Sequence, residues 1–253
     1  MNHYKRKEIA ADTAKRIAEL DEVVDSRYYS SKSCKELKEL PLEAPAVETK
    51  VITRFQDVVY TIMREKPVIT VLNFASAKHP GGGWLGGAQA QEEAIARVSS
   101  LYNHIKDVDD FYKNPKHHQG GYYDSDIIYS PNVSLLKMPT GQMLPKAIPF
   151  NVITSCAVNA SVLKDAPNSE EIKQAMKERI ENIFEVAIRN NTQTLALGAF
   201  GCGVFQNSPA VVASIFKEVL YSERYKNKIP LIIFPILGSD YLYDVFKPLE
   251  TEE

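Results

Sequence analysis

Absences narrow this 253-residue chain before any motif does. It holds one tryptophan and three cysteines, Cys34, Cys156 and Cys202, an odd and widely spaced set that gives no disulfide framework. No Cys-x-x-Cys occurs and no two of the five histidines stand at helical metal-ligand spacing, so no metal site is expected, and His117-His118 reads as solvated loop. Positive charge is not in excess: 30 Lys and Arg face 32 Asp and Glu, a formal charge of −2. The chain therefore has no general attraction for nucleic acid or an anionic membrane, and a polyanionic ligand has to be held by local donors. Apolar runs such as Leu231 to Leu237 are too short to cross a bilayer, and Met1 to Lys7 leads into a polar helical pattern with no apolar leader core. The expectation is a cytoplasmic or nuclear protein without a membrane partner.

With 44% hydrophobic and 25% charged residues, the remaining composition is that of a globular α/β domain carrying a small appendage. Ile9, Ala10, Ala14, Ile17, Ala18 and Val23 recur with helical spacing between Lys5 and Val24, ahead of a polar stretch to Pro45, so residues 1–45 read as an N-terminal helical extension and 46–253 as the main domain. Short β-rich runs at Val51–Thr53, Val68–Phe74, Asp126–Ser130, Asn151–Ser155, Thr194–Ala199 and Leu231–Ile236 predict strands. Helices are predicted between them at Val58–Met63 and Asn168–Asn190, the second capped by Asn168 with Glu171 three residues on. Such alternation builds a mixed or parallel sheet covered on both faces, with ligands at the carboxyl ends of its strands. Asp107 to Asp126 fits neither period and is either a mobile rim or a surface loop.

Five of the twelve glycines fall in the run from Asn73 to Glu93, at 81, 82, 83, 86 and 87, and the run ends on two adjacent carboxylates. A strand precedes it, and Ile95, Val98, Leu101, Tyr102 and Ile105 predict a helix after it. Three glycines in succession let a ligand approach the backbone and let several N–H groups turn toward an anion. A second glycine loop, Gly198 to Asn207, leads into a helix at Ser208-Pro209, whose amino end favours negative charge. Neither loop ends in Gly-Lys-Ser/Thr or carries G-x-G-x-x-G with a distant acid, which disfavours a nucleoside triphosphatase and a dehydrogenase.

Glu92 and Glu93 have an ordinary explanation, since acids suit a helix amino end and Glu93 is spaced to pair with Arg97. Both effects lower a carboxylate pKa, whereas a general acid needs it raised by burial, by a neighbouring acid or by a bound diphosphate. Consecutive helical side chains diverge by about 100°, so the two acids cannot flank a glycosidic bond from opposite sides, and one acid has to serve twice. Glu92 leans toward the buried stripe and Glu93 is the better reacting acid. Trp84 and Phe205 are placed either to stack on a ligand or to anchor their loops. Asp57 is either an acceptor for an adenine amino group or the cap of the helix at Val58.

Leu72 to Tyr102, with Gly-Gly-Gly, seven residues and then Gln-Glu-Glu, resembles the signature of microbial-type poly(ADP-ribose) glycohydrolases. Gly198 to Asn207 is similar to that family's diphosphate loop, Tyr129-Ser130-Pro131 also fits, and the likeness covers about residues 49–240. It implies a macrodomain-like, three-layer α/β/α fold with a mixed sheet plus an N-terminal helical extension. It assigns catalysis to Glu93 with Glu92 as partner, the terminal ribose to Asn73 and Gly81, Gly82 and Gly83, and the diphosphate to Gly201, Cys202, Gly203, Val204 and Phe205, with Gln91 among the binding residues. The implied reaction is exo-acting hydrolysis of ribose–ribose O-glycosidic bonds, releasing ADP-ribose from chains on modified proteins, by a monomer without cofactor or metal. The family commonly continues after Tyr-Ser-Pro into an Arg-Asp pair, where this chain has Ser134-Leu135-Leu136-Lys137. Ser155 to Asn159 also lacks the family's prolines. Two alternatives stand beside this reading: removal of single ADP-ribose units from protein or nucleic acid, and a non-catalytic ADP-ribose-binding macrodomain.

Overall fold

The computed structural model describes residues 1–65 and 68–251. In chain order its main elements begin with helix α1 (His3–Ala18), strand β1 (Arg27–Tyr29), α2 (Ser31–Glu39), β2 (Lys50–Phe55), α3 (Val58–Arg64) and β3 (Thr70–Phe74). Then come α4 (Gln91–Ala96), α5 (Leu101–Ile105), α6 (Asp109–Tyr112), β4 (Ile127–Lys137) and β5 (Met143–Ser155). The chain closes with α7 (Glu170–Arg189), β6 (Thr194–Ala196), α8 (Pro209–Leu220), β7 (Leu231–Ile236) and α9 (Asp240–Phe246). One seven-stranded sheet runs in the order β1-β4-β5-β3-β6-β7-β2. Strands β5, β3, β6, β7 and β2 are parallel neighbours, while β4 lies antiparallel to both β1 and β5.

Alternation along the strands makes two cores. Leu72, Ile153, Leu195 and Ile232 pack on one face beneath Ile180, Phe184 and Phe216 of α7 and α8. Val71, Val152 and Ala196 pack on the other beneath Val59, Ile95, Leu101 and Phe111 of α3 to α6. That is the period of two expected of strands buried on both sides, and it gives the layered mixed sheet predicted from the sequence. Among the described residues no helix is long and apolar enough to cross a membrane.

Several boundaries differ from expectation. The helix foreseen from Ile95 to Ile105 is two helices, because Ser99 leaves it to bridge to Leu135 of β4. Strands β4 and β5 run far past Ser130 and start well before Asn151, forming a long hairpin. The prolines that hid it are tolerated because β3 pairs with β5 only from Asn151 onward, leaving the earlier residues of β5 on an open edge. Helix α7 starts at Glu170, two residues after the predicted Asn168, and its cap moves by one, the Ser169 hydroxyl rather than Asn168 accepting from Ile172 N–H. Segment 1–45 carries more than a helix: β1 closes the sheet edge and α2 buries Cys34 in the main core.

Asp107 to Asp126 is exposed over much of its length, His118 included, but is anchored at His117 and Asp126. His117 is buried, its Nδ1 2.8 Å from the Phe111 carbonyl and its Nε2 3.8 Å from Asp126. Asp126 accepts from Tyr28 Oη at 2.9 Å, from Ser31 N–H at 2.7 Å and from Asn114 Nδ2 at 2.7 Å. A hydrogen-bonded buried carboxylate of this kind fixes the segment to β1 and α2, and the solvated-loop reading of His117 is corrected.

Candidate active site

The parallel strands all end on one side, and there the chain encloses a cavity of about 810 Å³. That is the size of a cleft for a nucleotide-sized ligand. Asp57, Ser76, Gln91, Glu92, Glu93 and Arg97 form one wall, while Gly201, Gly203, Val204 and Phe205 form the other, with Leu237 and Leu242 at one end.

The first wall is built on the glycine run. Gly81 and Gly82 take positive φ values of 71° and 59°, closing a turn in which Gly82 N–H donates to His79 O at 2.8 Å. A Cβ on Gly82 would stand 2.3 Å from Glu93 Oε1 and 3.2 Å from Glu92 Oε2, so the two carboxylates occupy the space its missing side chain leaves. Trp84 is only 2% exposed and packs against Tyr102, Ala10, Ile17, Ala96 and Leu136. Its ring is a loop anchor, and the ligand-stacking option is removed.

At the end of β3 the sheet loses its partner on one side only, because β6 stops at Ala196 opposite Val71 while β5 pairs on to Phe74. The Gln91 amide fills the gap, donating from Nε2 to Leu72 O at 2.6 Å and accepting from Phe74 N–H at 2.9 Å. The first residue of α4 is thus stitched to the sheet, and both ends of the Gln91 amide are already engaged by backbone. Glu92 follows at 2% exposure, its Oε1 accepting from Asn73 Nδ2 at 3.1 Å and its Oε2 from Ser76 N–H at 2.7 Å. Burial pushes its carboxyl up to about 8, with the charge of Glu93 adding to the rise and the Ser76 and Asn73 hydrogen bonds opposing it. Asn73 lies fully buried behind it with Oδ1 unpartnered. Glu93 is half-buried and faces the cleft, Oε1 accepting from Gly83 N–H at 3.0 Å.

The expected Glu93–Arg97 ion pair does not form. Arg97 is buried and turns back to donate to Ala88 O at 3.0 Å, and burial lowers the pKa of its guanidinium. Asp57 caps α3, its Oδ1 accepting from Val59 N–H at 2.7 Å, and also lines the cavity, with its carboxyl raised by burial.

On the second wall Gly201 has φ 74°, and a Cβ there would come within 2.6 Å of both Ala157 Cβ and Asn207 Nδ2. Asn207 locks this turn by donating to Val158 O at 2.7 Å and Gly201 O at 3.0 Å. Gly203 meets nothing within 4 Å, and Val204 is 74% exposed. Phe205 is half-buried, 6.2 Å from the ring of Tyr123, a residue at φ 54° whose hydroxyl accepts from Asn159. Cys202 turns away from the lining, its thiol pushed up to about 12 by burial.

Of the residues singled out from the sequence, Gln91, Glu92, Glu93, Gly201, Gly203, Val204 and Phe205 meet at the cavity. Asn73 stands behind Glu92, Gly82 and Gly83 abut Glu93, and Cys202 and Gly81 serve loop geometry. Sequence reasoning missed Ser76, Arg97, Leu237 and Leu242; the spacing that pointed to Arg97 was read as a surface ion pair. Among the described residues no three His, Cys, Asp or Glu side chains are grouped to hold a metal ion.

A family model described as "Microbial-type PARG, catalytic domain" matches residues 4–138. No curated protein matches the chain. Among solved structures, the poly(ADP-ribose) glycohydrolase of Thermomonospora curvata superposes with a TM-score of 0.90 at 27% identity, covering 97% of this chain and 99% of that one. The same glycohydrolase bound to the inhibitor ADP-HPD gives 0.87 at 27% identity over 96% and 98% of the two chains. The poly(ADP-ribose) glycohydrolase of Deinococcus radiodurans in complex with ADP-ribose gives 0.80 at 30% identity over 89% and 93%.

Proposed function

The chain belongs to the microbial-type poly(ADP-ribose) glycohydrolase catalytic family, and from that premise we propose that it releases ADP-ribose from the ends of poly(ADP-ribose) chains on modified proteins, with Glu93 as the acid and then the base. The observation that carries the reading is the placement of Glu93 at the cleft wall, its carboxylate held by Gly83 N–H and unencumbered by any side-chain partner among the described residues. Glu92 supports a different role, since both its oxygens are engaged from behind by Asn73 and Ser76. Burial raises Glu92 to about 8, so this neighbour of Glu93 is largely neutral at pH 7.

In this reading the open backbone at Gly203 and Val204 receives the diphosphate and Phe205 sets the terminal ribose against Glu93. Glu93 protonates the departing 2′-oxygen as the C1″–O bond breaks, and an oxocarbenium-like ribose forms. The same carboxylate then takes a proton from the water that adds to C1″, which restores the acid and yields free ADP-ribose.

Glu93→Gln tests the assignment. Calorimetry should find ADP-ribose bound about as in the wild type, while release of ADP-ribose from polymer falls by at least about 10²-fold, the scale of a positioned acid. Turnover equal to the wild type would remove Glu93 from the chemistry. Running singly ADP-ribosylated protein beside polymer separates the two substrate classes, and turnover confined to the former would overturn the polymer assignment.

A further inference from the structure

Helix α1 lies against the catalytic loop, and its contacts are too specific for an appendage. Arg6 donates from Nε to Gly87 O at 2.7 Å and from one terminal nitrogen to Gln89 Oε1 at 2.7 Å and Met1 O at 2.8 Å. Gly87 sits at φ 79°, where a Cβ would meet Lys7 Cγ at 2.9 Å and His3 O at 3.0 Å, so the first turn of α1 rests directly on the loop backbone. One residue on, the Ala88 carbonyl is held by Arg97. Two arginines, Arg6 of α1 and Arg97 at the carboxyl cap of α4, therefore capture the consecutive carbonyls of Gly87 and Ala88.

Those carbonyls lie just before Ala90, which begins α4 without any side-chain cap. The direction in which α4 leaves the loop, and with it the position of Glu93, is set on the sheet side by the Gln91 bonds to β3 and on the loop side by the two arginines. Further along α1, Thr13 donates to Arg97 O at 2.7 Å, and Lys137 of β4 bonds Thr13 at 2.7 Å and Asp12 at 2.7 Å, fixing the helix to the sheet.

We propose that Arg6 is a positioning residue of the reaction, holding the segment Gly87 to Gln89 so that α4 presents Glu93 to the glycosidic bond. This rests on the glycohydrolase reading for its kinetic arm. Its structural arm stands alone, because the chain's only tryptophan, Trp84, lies within the same loop, at the interface with α1.

Arg6→Ala is the variant, assayed for turnover of poly(ADP-ribose), for ADP-ribose affinity by calorimetry, and for acrylamide quenching of Trp84. The expected result is a kcat lowered about 10–100-fold, in line with a displacement of up to about 1 Å, with ADP-ribose affinity within threefold and Trp84 more accessible. Arg6→Lys, which keeps the charge and one donor, should recover part of kcat and should replace the alanine variant if that one does not fold. A kcat within twofold of the wild type overturns the proposal, as does a loss of turnover with Trp84 quenching unchanged, or a loss of ADP-ribose affinity as steep as the loss of kcat. If the wild type turns over no polymer, the glycohydrolase reading fails. Trp84 quenching unaltered by Arg6→Ala then refutes the role of Arg6 separately.

Discussion

A single methyl group at residue 82 should silence the enzyme while leaving it folded. In Gly82→Ala the added Cβ would lie 2.3 Å from Glu93 Oε1 and 2.9 Å from its Cδ, where ordinary contact begins at 3.4 Å. The carboxylate has to retreat by about 1 Å, which stretches its 3.0 Å bond to Gly83 N–H past hydrogen-bonding range. A misplacement of that size costs about 10²-fold in rate, or about 2.7 kcal/mol in the barrier at 1.36 kcal/mol per tenfold. Holding a non-glycine residue at φ 59° adds about 1–2 kcal/mol of folding cost. That corresponds to a fall in Tm of roughly 2–8 °C for a chain of this size. The assay is kcat on poly(ADP-ribose) with a parallel melt, and Gly86→Ala is the control because its Cβ meets nothing within 4 Å and its φ is not positive. A folded Gly82→Ala protein with kcat within threefold of the wild type would refute the close packing of that glycine on the acids.

Other expectations follow from the two walls. Burial lifts Glu92 from 4.5 to about 8, so between those pH values the folded chain keeps a proton that the unfolded chain has released, and stability falls as pH rises through that window. Glu92→Gln, neutral throughout, removes the slope: its Tm relative to the wild type should climb from pH 5 to pH 8 in calorimetry, and a constant difference contradicts the burial argument. Gly203→Ala should leave Tm unchanged, since its Cβ meets no protein atom within 4 Å, yet weaken ADP-ribose about tenfold by filling the path to the backbone amides. Undiminished affinity would move the diphosphate elsewhere.

What the sequence disclosed and what it concealed divide along a physical line. Strand β7 at Leu231–Ile236 was legible to the residue and the acids at 92 and 93 by their place after a glycine run, because period and turn chemistry are local signals. The inward face of Glu92 was legible as well, since it stands three residues before Ile95, and it is buried. Long-range competition was not legible. Ser99 abandons a good helical pattern for a bridge to Leu135, Arg97 forsakes Glu93 for the Ala88 carbonyl, and His117 is drawn out of water by the cluster around Asp126. Each depends on a partner remote in sequence or on a backbone carbonyl, and neither leaves a periodic trace. The β4–β5 hairpin was hidden for a related reason: Pro145 and Pro149 break a strand only where a neighbour needs their N–H, and among the described residues no strand pairs with that part of β5 on the side away from β4.

The Gln91 amide that substitutes for a missing length of β6 makes the two jaws of the cleft mechanically unequal. The acid-bearing jaw is tied to β3 by both ends of that amide and to α1 through Arg6, so it behaves as an anvil whose alignment predates the arrival of any ligand. Accommodation falls to the opposite jaw at Gly203 and Val204, which is open and sparsely packed. Ligands of differing bulk should therefore be distinguished by how far that compliant side yields, with the chemistry itself held at a fixed address.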